Sequence, residues 1–312
     1  MMKAVVIENY GSKEELKEVE VAMPKAGAGQ VVIEMKATSI NPIDWKLREG
    51  YLKQMMDWPF PIILGWDAAG VISEVGEDVT DWKIGDKVFA RPETTRFGTY
   101  AEYALIDAPL LAKIPDNVSF DEAASIPLAG LTAWQALFDH ANLQAGEKVL
   151  IHAGAGGVGT LAIQLAKNAG AYVITTASKK NAAFLKELGA DEVIDYKTTN
   201  FAEVLTDIDV VFDTMGGDIQ KDSFRVLKDN TGRLISIVGA PDEELAKAKN
   251  VVAKSIWLAP SGEQLQAFAE LMTAGKVKAV VGATFPFSAK GVYDAHALSE
   301  THHAKGKIVI SF

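Results

Sequence analysis

The chain has 312 residues, 48% of them apolar, a formal net charge of −10 and no cysteine. An acid excess of this size gains nothing from counterion release on nucleic acid and is repelled by anionic membrane surfaces, so both partner classes are set aside. Disulfides, thiolate nucleophiles and cysteine-bound zinc are excluded, no apolar run is long enough to span a bilayer, the N-terminal segment reads as a strand and not as a signal peptide, and the length favours two domains; a cytoplasmic protein is expected.

From Met1 to about Asn117, short β-rich runs occur at Ala4–Glu8, Val31–Ala37, Ile63–Val75, Lys87–Ala90 and Thr99–Ile106, separated by glycine-marked turns. They predict a small, mostly antiparallel β domain. Ser119 followed by Glu122 has the spacing of a helix-capping pair. Beyond it the texture changes. An apolar strand at Lys148–His152 leads into a helix over Gly157–Ala169, a strand at Tyr172–Thr176, and a helix over Asn181–Leu188 closed by Gly189. Strands recur at Glu192–Ile194, Asp209–Asp213 and Leu234–Val238, with a further strand at Ser255–Leu258 and a helix over Gly262–Ala274. Strands alternating with helices imply a parallel sheet. From about Lys278 to Phe312 the β texture returns and ends in Lys307–Ile310, so the tail is expected to rejoin the first domain. The expected organisation is α/β: a β domain of residues 1–117 plus 279–312, around an inserted doubly wound parallel-sheet domain of residues 118–278.

The segment Gly154-Ala155-Gly156-Gly157-Val158-Gly159 follows a strand and opens a helix. Glycines at 154, 156 and 159 in that context form a dinucleotide-binding turn. Gly154 allows the tight turn, Gly156 lets backbone approach a pyrophosphate, and Gly159 lets the helix pack on the strand. The amides of Gly157 and Val158 then face phosphate at the positive end of the helix dipole. His152 reads as a strand-end residue with no second ligand spaced to join it. Folds that bind NAD place an acid about twenty residues beyond the glycines, to accept from ribose hydroxyls. Here the second strand runs into Ala177-Ser178-Lys179-Lys180 without one. A hydroxyl and a cation suit a 2′-phosphate, so NADPH is the expected cofactor.

Motifs along nearly the whole chain resemble the medium-chain dehydrogenase/reductase superfamily, in its zinc-free quinone oxidoreductase branch, and within it the alkenal/enone reductases. They are Asn41-Pro-Ile-Asp44 with Arg48 and Gly50, Leu64-Gly-Trp-Asp-Ala-Ala-Gly70, Val75-Gly76 with Gly85-Asp86-Lys87-Val88, Pro127-to-Trp134, Ala153-to-Gly159, Leu188-Gly189-Ala190 with Ile194-Asp195-Tyr196, and His303-to-Lys307. The resemblance implies a GroES-like β domain, completed by the C-terminal tail, around a Rossmann domain. It also implies a homodimer, with the Ser255–Leu258 strand as an edge that either pairs across a two-fold axis or lies inside the sheet. Zinc members carry cysteine in the segment matching Asn41–Asp44, and Gly-His-Glu where this chain has Gly65-Trp66-Asp67, so no zinc is expected. By the same resemblance Asn41 and Thr132 lie near the nicotinamide and its ribose, Ser178, Lys179 and Tyr196 hold the 2′-phosphate, and Val238 and Gly239 flank the nicotinamide.

Without a metal or a Tyr-x-x-x-Lys pair, an isolated carbonyl lacks stabilisation for the developing alkoxide. Quinones and α,β-unsaturated carbonyls spread the incoming charge, so a small, apolar acceptor of that kind is expected. Tyr51 is the candidate catalytic donor to the acceptor oxygen, or else an aromatic lid. Trp45, Trp66 and Phe285 either line an apolar substrate pocket or belong to the core. Two other readings stand beside this one: an enoyl-thioester reductase, and an NADPH-binding sensor or structural protein with little turnover.

Overall fold

The computed structural model describes every residue from Met1 to Phe312 and resolves two compact units, Met1–Leu131 with Pro260–Phe312, and Thr132–Ala259. In the second unit six strands pair entirely in parallel, in the spatial order Glu192–Asp195, Tyr172–Ala177, Lys148–Ile151, Val210–Asp213, Arg233–Ser236, Val252–Ser255. Counted along the chain this is 3-2-1-4-5-6, the doubly wound dinucleotide-binding order. Val149, Leu150 and Ile151 are all buried, as are all four residues of Val210–Asp213. Such unbroken burial is what a central strand covered by helices on both faces demands. The winding reverses between these two strands, and the Gly154–Gly159 turn follows the first of them.

The first unit is built on Gln30–Ile40, which pairs antiparallel with Lys307–Ser311, Ala68–Val75 and Tyr103–Asp107. Lys87–Ala90 and Leu111–Lys113 extend the sheet at one side, and Val281–Pro286 joins in parallel at the other. A smaller antiparallel sheet orders Lys17–Val21, Met2–Ile7 and Ile62–Ile63. The fold is thus a mixed α/β one, a GroES-like antiparallel unit and a Rossmann unit, and the C-terminal strand does return to the first. Because Ile308 pairs with Ile40, that return sets Lys307 beside Asn41.

Several elements differ from the sequence reading. The run Ile63–Val75 is two strands, since Gly65 adopts φ +89° and a Cβ there would stand 2.5 Å from the Tyr100 ring. Only glycine fits this break, and it places Asp67 in a loop. The tail contains a twelve-residue helix, Ala289–Glu300, whose first turn is capped by Ser288 Oγ accepting from the Gly291 amide at 3.0 Å. Its buried face, Val292, Ala295 and His296, carries helical spacing that the flanking strands obscure. The last parallel strand is Val252–Ser255, in register with Arg233–Ser236, and residues 256–258 run on beyond it.

The capping pair forms as expected: Ser119 Oγ accepts from the Glu122 amide at 3.2 Å and Glu122 accepts from the Ser119 amide at 2.9 Å. The helix it opens, Phe120–Ala124, is bound into the first unit, where Asp121 accepts from Ser311 Oγ at 3.0 Å. At the other boundary, Gln266 on helix Gly262–Thr273 accepts from the Lys113 amide at 3.3 Å. Residues 118–131 and 260–278 therefore pack with the β unit, because each carries an apolar helix face that the sheet covers.

Candidate active site

The turn after Ile151 shows why its glycines are required. A Cβ on Gly154 would lie 2.1 Å from Thr175 Oγ1, and one on Gly159 would lie 2.5 Å from the Ala153 carbonyl oxygen. Both are fixed by packing. A Cβ on Gly156 would meet nothing nearer than 3.4 Å, so the fold itself does not forbid a side chain there. What that glycine leaves is open backbone. Helix Gly157–Asn168 starts directly after it, and the amides of a first helical turn have no partner within the helix. Gly156, Gly157 and Val158 are partly exposed, as is Ala155, which gives an anion a way to the helix end.

His152 braces this turn from beneath. Ser223 Oγ spends its proton on the Ile219 carbonyl at 2.7 Å, so at 2.9 Å it accepts from His152 Nε2. His152 Nδ1 then accepts from Thr176 Oγ1 at 3.2 Å, and Thr176 Oγ1 in turn accepts the Ala153 amide at 3.2 Å. Burial, opposed by the Asp213 carboxylate, pushes the His152 pKa down to about 4. The sequence reading of a strand-end residue stands, but its partners lie 24 and 71 residues away and no local pattern marks them.

The other expected cofactor positions in this unit lie at the carboxyl ends of its strands. Ser178 follows Tyr172–Ala177 and receives a hydrogen bond from Asn181 at 3.3 Å, and Lys179 beside it is exposed. Tyr196 follows the neighbouring strand, donates its amide to Ala177 at 3.4 Å, and leaves its ring half exposed. Asp195 pairs in register with Ala177, so an acid stands one strand away although none is near in sequence. Its carboxylate is turned onto its own chain, accepting the Lys197 amide at 3.2 Å. Val238 and Gly239 are exposed beyond Arg233–Ser236, and Thr132 is buried in helix Pro127–Trp134.

Asp213, which lies outside the residues that the sequence points to, holds the loops after two strands together. Its Oδ1 accepts the Met215 and Gly216 amides at 3.0 and 2.9 Å, while Oδ2 accepts Ser236 Oγ and Gln220 Nε2, both at 2.8 Å. An acid closing a wholly apolar strand just before Gly216-Gly217 was the available signal.

In the first unit the centre is Asn41, buried where Gln30–Ile40 gives way to helix Pro42–Arg48. Its amide Nδ2 donates to Asp67 Oδ2 at 2.6 Å, its Oδ1 accepts from Lys307 Nζ at 2.5 Å, and its backbone N–H donates to Asp44 Oδ2 at 2.7 Å. Asp67 also accepts from Ser39 Oγ and, at 2.7 Å, from the Leu128 amide, with Lys307 Nζ 3.4 Å away. Tyr51 lies in the turn beyond this helix, 70% exposed, its ring edge-on to Trp45 at 6.4 Å. Trp45 also meets the His302 ring at 5.9 Å. Trp66 is wholly buried, its indole N–H spent on the Thr95 carbonyl at 3.2 Å, and Phe285 packs half-buried against the same core. The structure thus brings Tyr51 and Trp45 together and puts Trp66 inside the unit.

Comparison with known proteins accords with both units. Residues 27–116 match the alcohol dehydrogenase GroES-like domain, and residues 188–310 match the zinc-binding dehydrogenase family. A chloroplast envelope quinone oxidoreductase homologue of Arabidopsis thaliana is 36% identical over 325 residues, covering 99% of this chain and 98% of the relative. The chain belongs to the medium-chain dehydrogenase/reductase family, in its quinone oxidoreductase branch. An NADPH-dependent alkenal/one oxidoreductase of the same plant, chloroplastic, is 36% identical over 321 residues, 99% of this chain and 79% of that protein. The structure of the quinone oxidoreductase from Coxiella burnetii superposes with a TM-score of 0.93 at 39% identity, covering 100% and 99% of the two chains. This member of the branch is an oxidoreductase by family, and none of its helices is long and apolar enough to cross a membrane.

The glycine turn and its brace each make a prediction. Gly154→Ala should lower the thermal midpoint, since forcing a methyl into packed space costs about 1–3 kcal/mol, whereas Gly156→Ala should melt as the wild type does. Equal losses in differential scanning fluorimetry would refute the distinction. His152 supplies the second. The unfolded chain binds its proton below roughly pH 6.5, while the folded state resists until about 4, so this contribution is complete above the upper value and is lost as pH falls between the two. The Tm gap between wild type and His152→Gln should accordingly narrow from pH 7.5 to pH 4.5. A gap constant with pH would contradict a neutral buried imidazole.

Proposed function

We propose that this protein is an NADPH-dependent, metal-free reductase of quinones or α,β-unsaturated carbonyls. The observation that carries the reading is the Gly154–Gly159 cradle at the reversal point of the parallel sheet, with Ser178 and Lys179, and no acid, ending the next strand. The names of the relatives, quinone oxidoreductase and NADPH-dependent alkenal/one oxidoreductase, support it.

When bound, NADPH supplies the hydride. The chain's own residues do the rest. Gly154 and Ala155 shape the turn, and the backbone of Gly156, Gly157 and Val158 holds the pyrophosphate. The Ser178 hydroxyl, the Lys179 ammonium and the Tyr196 ring hold the 2′-phosphate, where a carboxylate would repel it. Val238 and Gly239 offer backbone beside the nicotinamide, and Asn41 and Thr132 hold it and its ribose. Tyr51 donates to the acceptor oxygen as charge gathers there, and Trp45, whose ring lies edge-on to Tyr51, gives the acceptor an apolar wall, while Trp66 and Phe285 belong to the core. Zinc does not suit the donor set: Trp66 replaces an imidazole, the Asn41 amide is held at both ends, and Lys307 already supplies the cation beside Asp67.

The test is loss of reduced nicotinamide absorbance, with NADPH and NADH in parallel, against an ortho-quinone, a short alkenal, a cyclic enone and a saturated aldehyde. Turnover of the conjugated acceptors with NADPH alone is expected. Lys179→Glu should raise the NADPH KM by an order of magnitude or more, roughly the worth of one charge-assisted contact. Tyr51→Phe should lower kcat about 10²-fold. Reduction of the saturated aldehyde would sink conjugate addition, full turnover by Tyr51→Phe would remove the donor role, and tight NADPH binding without turnover would point to a sensor.

We further propose a cytoplasmic homodimer. Val252–Ser255 ends the parallel sheet with one neighbour only, and such an edge pairs readily with its own copy. Light scattering should give twice the 33.5 kDa chain mass, and a mass equal to one chain would rule the dimer out.

A further inference from the structure

Arg48, His296, Tyr100 and Asp44 form a wholly buried row in the first unit, and the reduction proposed above uses none of them. Arg48 Nη1 lies 2.9 Å from His296 Nδ1. A guanidinium can only donate, so Nδ1 accepts and the ring proton sits on Nε2. His296 Nε2 lies 3.2 Å from Tyr100 Oη, which accepts that proton, and the Tyr100 hydroxyl is left to donate to Asp44 Oδ2 at 2.8 Å. Asp44 Oδ2 is also the acceptor for the Asn41 backbone amide at 2.7 Å. Every donor points one way, and no other arrangement of these protons keeps all three contacts between the four groups.

The head of the row is anchored. Arg48 also donates to the Gly11 carbonyl at 3.1 Å, and pairs with Glu49 at 2.7 Å and Glu300 at 2.8 Å. Glu300 lies four residues beyond His296 on the same helix, so one turn of Ala289–Glu300 supplies both the acid that holds Arg48 and the imidazole that reads it.

Resting on the reductase reading for its functional meaning, we infer that this row orients the Asp44 carboxyl and through it the start of the Asn41 helix, which makes His296 and Tyr100 positioning residues of the reductase site. Neither touches Asn41, and His296 is 255 residues away from it in sequence. The charged groups around Asp44 are Asp67 from the loop before Ala68, Lys307 from the last strand, Arg91 beyond Lys87–Ala90, Arg48 on its own helix, and the hydroxyl of Tyr100. Burial first, and then Asp67, push the Asp44 pKa up to about 7, against the Asn41 amide, Tyr100 and Lys307, which lower it. Protonation of Asp44 weakens its hold on the Asn41 amide, so activity should fall on the acid side of that value. Removing the Tyr100 donor should move the fall to higher pH.

Two measurements test this. In the cofactor-free protein labelled with ¹⁵N-histidine, His296, identified among the five histidines by its loss in His296→Gln, should be neutral and protonated on Nε2 from pH 5 to 9. A proton on Nδ1, or an imidazolium, would overturn the inference. In turnover, Tyr100→Phe and His296→Leu should shift the acid limb of kcat upward by roughly one pH unit and change the NADPH KM less than about threefold. His296→Gln, whose amide can accept from Arg48 and donate to Tyr100, should restore the wild-type limb. Activity scaled down equally at every pH, with the limb unmoved, would leave only a structural role and would overturn it too. Should the substituted proteins fail to fold, wild type decides: kcat flat from pH 5 to 9, with no acid limb, would overturn the inference. If wild type reduces no acceptor, the reductase reading falls, while the tautomer still settles the row itself.

Discussion

Asp67 sits where water is excluded, and the first unit is arranged so that its carboxylate is never left without partners. Lys307 lies 3.4 Å from it, Asn41 and Ser39 donate to one oxygen, and the Leu128 amide donates to the other. A buried ion lacking such partners is among the most costly things a fold can contain. The four partners come from three separate stretches of chain: the end of the long central strand, the helix after residue 126, and the last strand of all. Meeting the needs of one carboxylate therefore ties the C-terminus to the N-terminal half, and it fixes the Asn41 side chain at both ends.

The same economy recurs in the second unit with smaller groups. Asp213 uses both oxygens to hold the loops after two neighbouring strands, and His152 joins the glycine turn to the second strand and a distant helix. These buried polar groups are fully paired, as buried groups must be. Their effect is to leave the exposed backbone at the strand ends, around Gly156 and beyond Ser236, preorganised without side chains of its own. Rigid support beneath and open backbone above is what recognition of a phosphate by amides requires.

How much of this was legible in the sequence depended on the range of the interaction. The glycine turn was legible because its spacing is local: Gly154 and Gly159 answer clashes with residues no more than 25 positions away, Thr175 and Ala153, and Gly156 between them leaves the backbone open. The capping pair at Ser119 and the alternation of strands and helices were legible for the same reason. Helix Ala289–Glu300 was not, since its flanking strands hid a modest apolar stripe, nor was the break at Gly65, which answers to a tyrosine 35 residues on. The compact units divide at Leu131/Thr132 and Ala259/Pro260 because helices Phe120–Ala124 and Gly262–Thr273 pack with strands of the first unit, and such long-range packing leaves no local pattern.

The periodicities, the phosphate-binding turn, the lack of an acid after the second strand and the motifs that place the chain in its family can all be read from the residues alone, because each resides in positions close along the chain. Which buried polar groups meet emerges from the closed fold: Lys307 with Asp67 and Asn41, His296 with Tyr100 and Arg48, His152 with Ser223. The reason is physical. A local pattern reports backbone preference and which face is apolar, whereas a buried charge or imidazole is satisfied by whatever partner the closed chain brings within hydrogen-bond reach, and the long stretch of intervening residues leaves no mark on that choice.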